Sequence, residues 1–305
     1  IVFGTVITGG TSKGNAYYRL GAEGNGNTLT LSVPAPTSWN VGDKIIVPDS
    51  QQRRSPNDSP RNEPERHTIA AFSPDRRTIT LAAALLKPRP GARDATGTLR
   101  FLPHIANVTR NVILRSENAQ GTRAHTLYTN RANVTLRNTA FVDLGRTTFD
   151  VLNNTTFNPD TTVSHIGTNQ IARYPIHIHH VYGPLTPQSN GRQFTLAGNV
   201  IDGGDFQHKF KWGITVHGSS YGLIQDNVVY NYGGAAIMTE DGSEVENIFE
   251  GNFIVGVDGT NGRSDAREGS TIREYGFEGS AIWLRGGHNN IIRRNVAANV
   301  RAGYA

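Results

Sequence analysis

Short apolar segments that alternate with polar residues run through the chain and predict strands joined by turns. Residues 28–33 and 77–81 alternate with a period of two, and residues 41–47 place a turn before an apolar strand. Such alternation is typical of strands with one buried face. A polar stretch rich in Pro and Arg, residues 49–66, predicts a loop. We therefore expect an all-β protein with little helix, in which residues 1–100 form a β-rich N-terminal region.

A repeated unit begins at about residue 107. It contains apolar positions, then an asparagine, then a glycine a few residues later, and its asparagines are Asn138, Asn199, Asn227, Asn252 and Asn295. Two successive intervals are 28 and 25 residues, a length that suits one coil of a parallel β-helix. Stacked asparagine amides satisfy one another along such a coil axis, so we interpret these residues as structural. Residues 101–305 are therefore predicted to form a parallel β-helix.

Three polar insertions rich in Gly, Asn and Thr interrupt the repeat without ending it. They occupy residues 146–172, 182–193 and 257–279. Loops on one side of a solenoid form the walls of an extended binding surface. We expect a groove on the side of the β-helix that carries these insertions.

Several segments of the repeat can be superposed on Ile176-His-Ile-His179. In a strand the isoleucines face inward and the histidines outward, and equivalent side chains on neighbouring coils lie about 4.8 Å apart. The superposition predicts a first column of outward side chains, made up of Tyr128, His179, His217, Glu240 and Arg285. A second column beside it consists of His177, Thr215, Met238 and Trp283. So many acid, base and sugar-stacking groups together indicate a functional surface.

Glycoside hydrolysis is the first chemistry that these columns allow. Glu240 would serve as the acid or base, and this reaction needs a second carboxylate across the scissile bond. Asp241 is adjacent but is expected to face the other side of the strand. The remaining candidates for the second carboxylate are Asp202, Asp205 and Asp265.

Two other chemistries remain open. In β-elimination on a uronic acid, a neutral His or Tyr128 removes a proton while Arg285, Arg173 or Lys209 neutralises the sugar carboxylate. Alternatively, His177, His179 and His217 hold a transition metal together with Glu240, since imidazole nitrogen is a preferred ligand of such ions.

Charge and composition narrow the choice of partner. The 305 residues carry a formal charge of +5 and a pI near 9.5, which favours an anionic partner. The arginines are dispersed and not interleaved with aromatic residues, so an acidic polysaccharide is favoured over nucleic acid. No apolar run has the length of a membrane span, and Cys is absent. Ile1 starts no signal peptide and the repeat stops without a polar cap, so we expect a trimmed product, a fragment or one part of an assembly.

Several motifs resemble a known family. Residues 39–47, 173–179 (Arg-Tyr-Pro-Ile-His-Ile-His), 215–218 (Thr-Val-His-Gly), 226–231 and 239–242 (Thr-Glu-Asp-Gly) resemble, in the same order, the G8-domain and β-helix region of the cell-migration-inducing and transmembrane-protein-2 hyaluronidases. The resemblance implies a right-handed parallel β-helix after a G8-like region, an extracellular or cell-surface location, and binding or depolymerisation of hyaluronan or a similar glycosaminoglycan. The motif positions that it covers are Arg173, His177, His179, His217, Glu240 and Asp241.

Two departures from the animal members suggest a microbial relative. Thr129 and Asn130 stand where relatives often continue with Met and His, and this chain lacks cysteine. The exact glycan therefore does not follow from the resemblance.

The sequence thus predicts a secreted depolymerase of an acidic polysaccharide. The catalytic candidates are His179, His217, Glu240 and Asp241. The substrate-binding candidates are Arg173, His177, Tyr128, Trp283, Arg285 and Lys209. This interpretation requires no cofactor, although a divalent metal on His177, His179 and His217 is an alternative. The rival hypothesis is a glycan-binding or adhesin β-helix without catalysis.

Overall fold

The computed structural model describes residues 1–50, 64–148, 151–204, 211–259 and 278–304, and the regular structure of these residues is entirely β. The strands are numbered β1 to β28 in chain order. None of the described residues forms a helix with the length and apolarity needed to cross a bilayer.

Three six-stranded parallel sheets make up most of the molecule. The first sheet contains, in spatial order, β1 (Thr5–Gly9), β12 (Asn133–Arg137), β17 (Phe194–Ala197), β20 (Gly222–Gln225), β23 (Ile248–Glu250) and β26 (Ile291–Arg293). The second contains β10 (Val112–Arg115), β13 (Thr139–Val142), β18 (Val200–Asp202), β21 (Val228–Tyr232), β24 (Phe253–Val257) and β27 (Val296–Val300). The third contains β11 (Leu127–Asn130), β16 (Ile176–Val181), β19 (Ile214–His217), β22 (Ile237–Thr239), β25 (Ser280–Leu284) and β28 (Ala302–Tyr304).

Successive strands of the chain pass from one sheet to the next, so each coil contributes one strand to every sheet. For example, β16, β17 and β18 belong to the third, first and second sheets, and β19, β20 and β21 repeat that order one level higher. This arrangement confirms the predicted parallel β-helix.

Stacked apolar side chains fill the interior of the coil. Ile176, Ile214, Ile237 and Ile282 pair in register on consecutive strands of the third sheet, and all four are fully buried. Burying one such side chain stabilises the fold by about 1.5–3 kcal/mol. The period-two pattern of each short strand therefore produces a continuous core only after the coils stack.

The asparagine ladder forms as predicted over four coils. The Oδ1 atoms of Asn227, Asn252 and Asn295 each accept a hydrogen bond from the backbone N–H of the ladder residue one coil earlier, at 2.9–3.0 Å. Asn138 is an exception, because it lies one residue too early. Thr139 occupies the ladder position and donates its backbone N–H to Asn199 Oδ1, while Asn138 has a left-handed backbone with a φ of 50°.

An antiparallel sheet packs beside the β-helix. It contains β2 (Tyr18–Arg19), β9 (His104–Asn107), β4 (Lys44–Val47), β5 (Glu65–Phe72), β6 (Thr78–Leu81) and β3 (Thr28–Thr30). Ile46 and Ala106 pack against Val228 and Phe253 of the second sheet. Although β1 is part of the β-helix, β9 is part of this antiparallel sheet. We therefore propose that the N-terminal unit includes β9 and extends to Asn107, beyond the predicted boundary at residue 100. The G8-like character of this unit stays a prediction.

Two of the three predicted insertions lie largely within the described residues. Within residues 146–172, β14 (Thr156–Phe157) and β15 (Val163–His165) form a hairpin. Residues 182–193 form a loop that is fastened to the β-helix by the Gln188 side chain, which donates to the Val134 carbonyl oxygen. Most of the third insertion lies outside the described residues. A second small hairpin, in the N-terminal half, consists of β7 (Ala92–Arg93) and β8 (Leu99–Phe101).

Candidate functional site

The third sheet brings the histidines and acids of the predicted first column together. His179 pairs in register with His217, and their ring centroids are 4.6 Å apart. Thr239 pairs with Val216, so Glu240 follows at the level of His217. The register inferred from the Ile-x-x-His pattern is therefore observed.

His217 lies between two carboxylates. Its Nδ1 is 3.2 Å from Glu240 Oε2, and its Nε2 is 3.0 Å from Asp241 Oδ2. The expectation that Asp241 faces the other side of the strand is wrong, because β22 ends at Thr239 and the chain turns there. Consecutive residues of that turn can approach the same imidazole ring, which alternation along a strand would forbid.

Glu244 holds this turn in place and is a residue that the sequence reasoning missed. Its buried carboxylate accepts backbone N–H groups from Gly218, Asp241 and Gly242 at 2.8–3.0 Å. One acid thus joins the end of β19 to the turn that carries Asp241. Its position three residues after Asp241 in a Gly-Ser turn was the available signal.

His180 is a second residue that the sequence reasoning missed. The pairing of β11 with β16 skips His180, which has a left-handed φ of 49° and forms a bulge. Its ring therefore lies on the same side as its neighbour, 4.5 Å from His179 and 4.8 Å from His217. Gly218 makes room for it, since a Cβ there would be 2.7 Å from His180 Nδ1.

The predicted cations occupy different places. Arg285 is exposed, and its Nη1 donates to the Glu240 carbonyl oxygen at 3.3 Å, so its guanidinium lies at the site. Arg173 donates from Nε to Gln170 Oε1 at 2.9 Å, in the insertion that precedes β16. Lys209 lies outside the described residues, as do Asp205 and Asp265.

Tyr128 does not belong to the first column. It pairs with Ile178, is 2% exposed and packs in the hydrophobic core, whereas Thr129 pairs with His179. The error follows from Asn138: counting back ten residues from an asparagine that precedes the ladder position gave Tyr128 instead of Thr129. A slip of one residue moves a side chain to the opposite face of a strand. Tyr128 therefore cannot serve as the base of an elimination.

The second column faces outward but is buried. His177, Thr215 and Met238 are fully buried and Trp283 is 6% exposed; Tyr174 and Trp212 pack with Met238 and Trp283, and Tyr174 lies edge-on against His177. The Trp212 ring centroid lies 6.2 Å from that of Trp283. Stacking of sugar on Trp283 and contact of substrate with His177, both predicted from the sequence, are thus contradicted by this burial.

Asp202 is also excluded as the second carboxylate. It lies on β18 in the second sheet, where it is 3% exposed and forms a 2.5 Å ion pair with Arg66. Asp241 lies at the other edge of the His217 ring from Glu240 and is the more exposed of the two acids, so it is the remaining described candidate for the second carboxylate.

The site shifts the pKa values of its groups in opposite directions. Burial lowers the pKa of His177 to about 3, and burial together with His217 lowers that of His179. For His217 burial also acts downward, but the adjacent carboxylates of Glu240 and Asp241 outweigh it and raise the pKa. Burial acts upward on Glu240, yet His217 draws its pKa below the ordinary value. Burial therefore favours the neutral forms of His177 and His179, whereas His217 and Glu240 each favour the charged form of the other.

Among the residues that the structure describes, two groups of three side chains lie close enough together to hold a metal ion. One potential ligand atom from each of His177, His179 and His217 lies within 4.8 Å of the others. The same holds for His180, His217 and Asp241. Both groups share His217.

Comparison with known proteins relates this chain to a family. Residues 156–305 match the family model described as CEMIP beta-helix. Mouse fibrocystin-L is 25% identical in an alignment of length 303 that covers 92% of this chain and 6% of that protein. Human cell surface hyaluronidase CEMIP2 is 28% identical in an alignment of length 156 that covers 46% of this chain and 11% of that protein. Human cell migration-inducing and hyaluronan-binding protein is 27% identical in an alignment of length 170 that covers 47% of this chain and 11% of that protein.

The solved structures to which this chain is similar include two phage tailspikes. The tailspike gp49 of Pseudomonas phage LKA1 is 10% identical with a TM-score of 0.22, and covers 95% of this chain and 57% of its own. The Gp54 tailspike of Acinetobacter baumannii bacteriophage AP22, in complex with a capsular saccharide, is 11% identical with a TM-score of 0.23. The match covers 96% of this chain and 46% of the tailspike chain. The chain spans only a small part of the curated relatives. Residues 156–305, which carry all four clustered histidines, match the CEMIP beta-helix family model, in agreement with the resemblance that the sequence motifs indicated.

Proposed function

We propose that this chain depolymerises an acidic polysaccharide, hyaluronan or a similar glycosaminoglycan, outside the cell or at its surface. The observation that carries the proposal is the His217 imidazole held between Glu240 at 3.2 Å and Asp241 at 3.0 Å on an outward face of the β-helix. The names of two human relatives, a hyaluronidase and a hyaluronan-binding protein, support the substrate class.

Hydrolysis of the glycosidic bond suits these groups. The reaction requires one group that protonates the leaving oxygen and one that activates water or attacks the sugar. Asp241 has a side chain that is 43% exposed and Glu240 one that is 19% exposed, so both reach solvent from opposite edges of the same imidazole. His217 contacts both acids, which makes the three residues one candidate catalytic unit.

Recognition of an acidic glycan requires cations beside these acids. Arg285 lies against the Glu240 carbonyl oxygen with its side chain exposed, where it can neutralise a sugar carboxylate. The formal charge of +5 for the whole chain favours the approach of a polyanion. A substrate-binding role for Arg173 and Lys209 remains a proposal.

Digestion of defined glycans tests the proposal. Hyaluronan, chondroitin and alginate are incubated with the protein, and chain length and the absorbance of unsaturated uronate are followed. Shortened chains without that absorbance indicate hydrolysis, whereas shortened chains with it indicate elimination. We expect Glu240→Gln and His217→Asn to reduce turnover at least a hundredfold, while His288→Ala, on an exposed histidine elsewhere, keeps the wild-type rate. Full activity in Glu240→Gln would remove this site from the reaction.

Glycan binding without cleavage is the second candidate function. The word hyaluronan-binding in the name of one relative favours it, as does the small share of that relative which this chain covers. In that case no glycan is shortened, yet hyaluronan is retained on immobilised protein, and Arg285→Ala weakens the retention more than Glu240→Gln does.

A further inference from the structure

His177 is a buried histidine that has no role in the proposed reaction. The ring is fully buried, and its Nδ1 lies 3.0 Å from the carbonyl oxygen of Ala172. A carbonyl oxygen only accepts, so Nδ1 carries the proton and Nε2 of the neutral ring has a lone pair. That Nε2 has no hydrogen-bond partner within the described part of the chain. A buried polar atom left this way costs free energy unless a ligand satisfies it.

The atoms around His177 Nε2 are also donors of electron pairs. Glu240 Oε2 lies 3.9 Å from it, and His217 Nδ1 lies 3.2 Å from the same oxygen without the directional geometry of a hydrogen bond. His179 contributes a third imidazole, whose ring centroid is 4.9 Å from that of His177. In a tetrahedral zinc site with bonds of about 2.0–2.1 Å, neighbouring ligand atoms are about 3.3 Å apart. The separations of His217 Nδ1 and His177 Nε2 from Glu240 Oε2, 3.2 and 3.9 Å, lie on either side of that value, and the potential ligand atoms of the three imidazoles lie within 4.8 Å of one another.

We propose that His177, His179 and His217 bind a divalent transition-metal ion, with the Glu240 carboxylate as a further ligand. The inference deepens the proposed function and rests on it for the use of the ion, whereas binding can be measured by itself. Imidazole donors suit Zn²⁺, Cu²⁺, Fe²⁺ and Ni²⁺, while Ca²⁺ takes six to eight oxygen ligands. We therefore expect Zn²⁺ to bind and Ca²⁺ not to compete.

The hydrogen bond from His177 to Ala172 supports this assignment over the second group of ligands. Histidine ligands of metals generally donate their other N–H to a carbonyl or carboxylate, which fixes the tautomer and the orientation of the ring. Ala172 supplies such a carbonyl from the residues just before β16. The alternative group, His180, His217 and Asp241, is more open to solvent and shares His217 with the first, so one ion excludes another.

Zinc binding tests the assignment directly. The purified protein is stripped with a chelator, and Zn²⁺ is titrated against a chromophoric indicator, with Ca²⁺ in a parallel titration. We expect one Zn²⁺ per chain, and binding at least tenfold weaker in His179→Ala and in His217→Ala. His177→Asn is included, with its thermal unfolding recorded, since a buried residue is changed. His180→Ala and His288→Ala serve as matched controls and are expected to bind within twofold of wild type.

Three outcomes would overturn the inference: no stoichiometric Zn²⁺, unchanged affinity in both His179→Ala and His217→Ala, or loss of binding in His180→Ala with His179→Ala unaffected. The last outcome would place the ion in the second group. Metal-free protein that binds no Zn²⁺ and still cleaves hyaluronan at the full rate refutes the metal site alone. Protein that binds one Zn²⁺ and cleaves no glycan refutes the proposed function alone.

Discussion

His179 and His180 are neighbours in the sequence, yet their rings are 4.5 Å apart and both contact the ring of His217. In a regular strand consecutive side chains point to opposite faces. The bulge at His180, with its φ of 49°, cancels that alternation. One left-handed residue thus doubles the number of imidazoles that a single strand presents to the site.

The bulge predicts an unusual order of stability for substitutions at His180. A residue with a Cβ pays roughly 1–2 kcal/mol in the left-handed region, and a β-branched residue is the least tolerated there, whereas glycine adopts it freely. We expect His180→Gly to be more stable than His180→Val by about 1–2 kcal/mol in chemical denaturation. At Ile113, an exposed strand position, the order should reverse, with Ile113→Val above Ile113→Gly. Equal stability of the two His180 variants would contradict the bulge.

Glu244 is predicted to position the turn that carries Asp241 without touching substrate. Glu244→Ala leaves the N–H groups of Gly218, Asp241 and Gly242 without their carboxylate, at a cost of about 2–4 kcal/mol. We expect glycan cleavage to fall at least tenfold, with partial rescue in Glu244→Gln, whose side-chain oxygen still accepts hydrogen bonds. Unfolding curves and initial rates are measured together. Glu117→Ala, an exposed acid, is the control, and activity equal to wild type in Glu244→Ala would remove the turn from the mechanism.

The asparagine ladder is predicted to be a major source of stability. Asn227 Oδ1 accepts hydrogen bonds from the backbone and side-chain N–H groups of Asn199, and its own amide donates to Leu196 and Asn252. Asn227→Ala leaves several fully buried groups unpaired, and we expect a loss of about 2–5 kcal/mol in the free energy of unfolding. Asn27→Ala, at an exposed position in the N-terminal unit, should change it by less than about 0.5 kcal/mol. Denaturant titration of both variants makes the comparison.

His104 is predicted to make the fold sensitive to acid. Burial, with a smaller effect of the Arg19 charge, lowers the pKa of His104 to about 4, and the ring packs edge-on against Tyr17. In the unfolded chain the pKa is near 6.5, so the unfolded state takes up the proton first as the pH falls. The contribution of His104 to stability is therefore complete above about pH 6.5 and declines as the pH falls towards 4.

Denaturation midpoints at pH 7 and pH 5 measure this effect. Between these values the wild type should lose more stability than His104→Gln, which has no proton to take up. His288→Gln, at an exposed position, should lose as much as the wild type. Identical losses in the wild type and His104→Gln would show that His104 is not kept neutral by the fold.

The sequence predicted the coil and most of its register because the signals are local and repeated. The Ile-x-x-His spacing set His179 opposite His217, and the asparagine intervals set the coil length. Asn138 caused a wrong prediction, because its repeat unit is shorter by one residue. Counting back from Asn138 therefore placed Tyr128, instead of Thr129, in the first column. A repeat motif cannot show where a residue has been lost, whereas pairing between coils does.

The approach of Asp241 to His217 and the burial of His177 beside Tyr174 had no local signal. Both depend on where strands end and on how a preceding segment folds back over the sheet. The period of two shows which side chains of a strand face outward. It does not show whether other parts of the chain then cover those side chains. The predicted second column was correct in alignment and wrong in exposure for this reason.

By itself the amino-acid sequence determined the fold class, the family resemblance and the grouping of His179, His217 and Glu240, because apolar alternation and repeated asparagines act over a few residues. Only the tertiary structure decided that His180 and Asp241 join the site, that Tyr128 and Trp283 leave it, and that His177 keeps a buried lone pair. Turn geometry and packing between coils control these outcomes, and both arise from contacts between residues far apart in the chain.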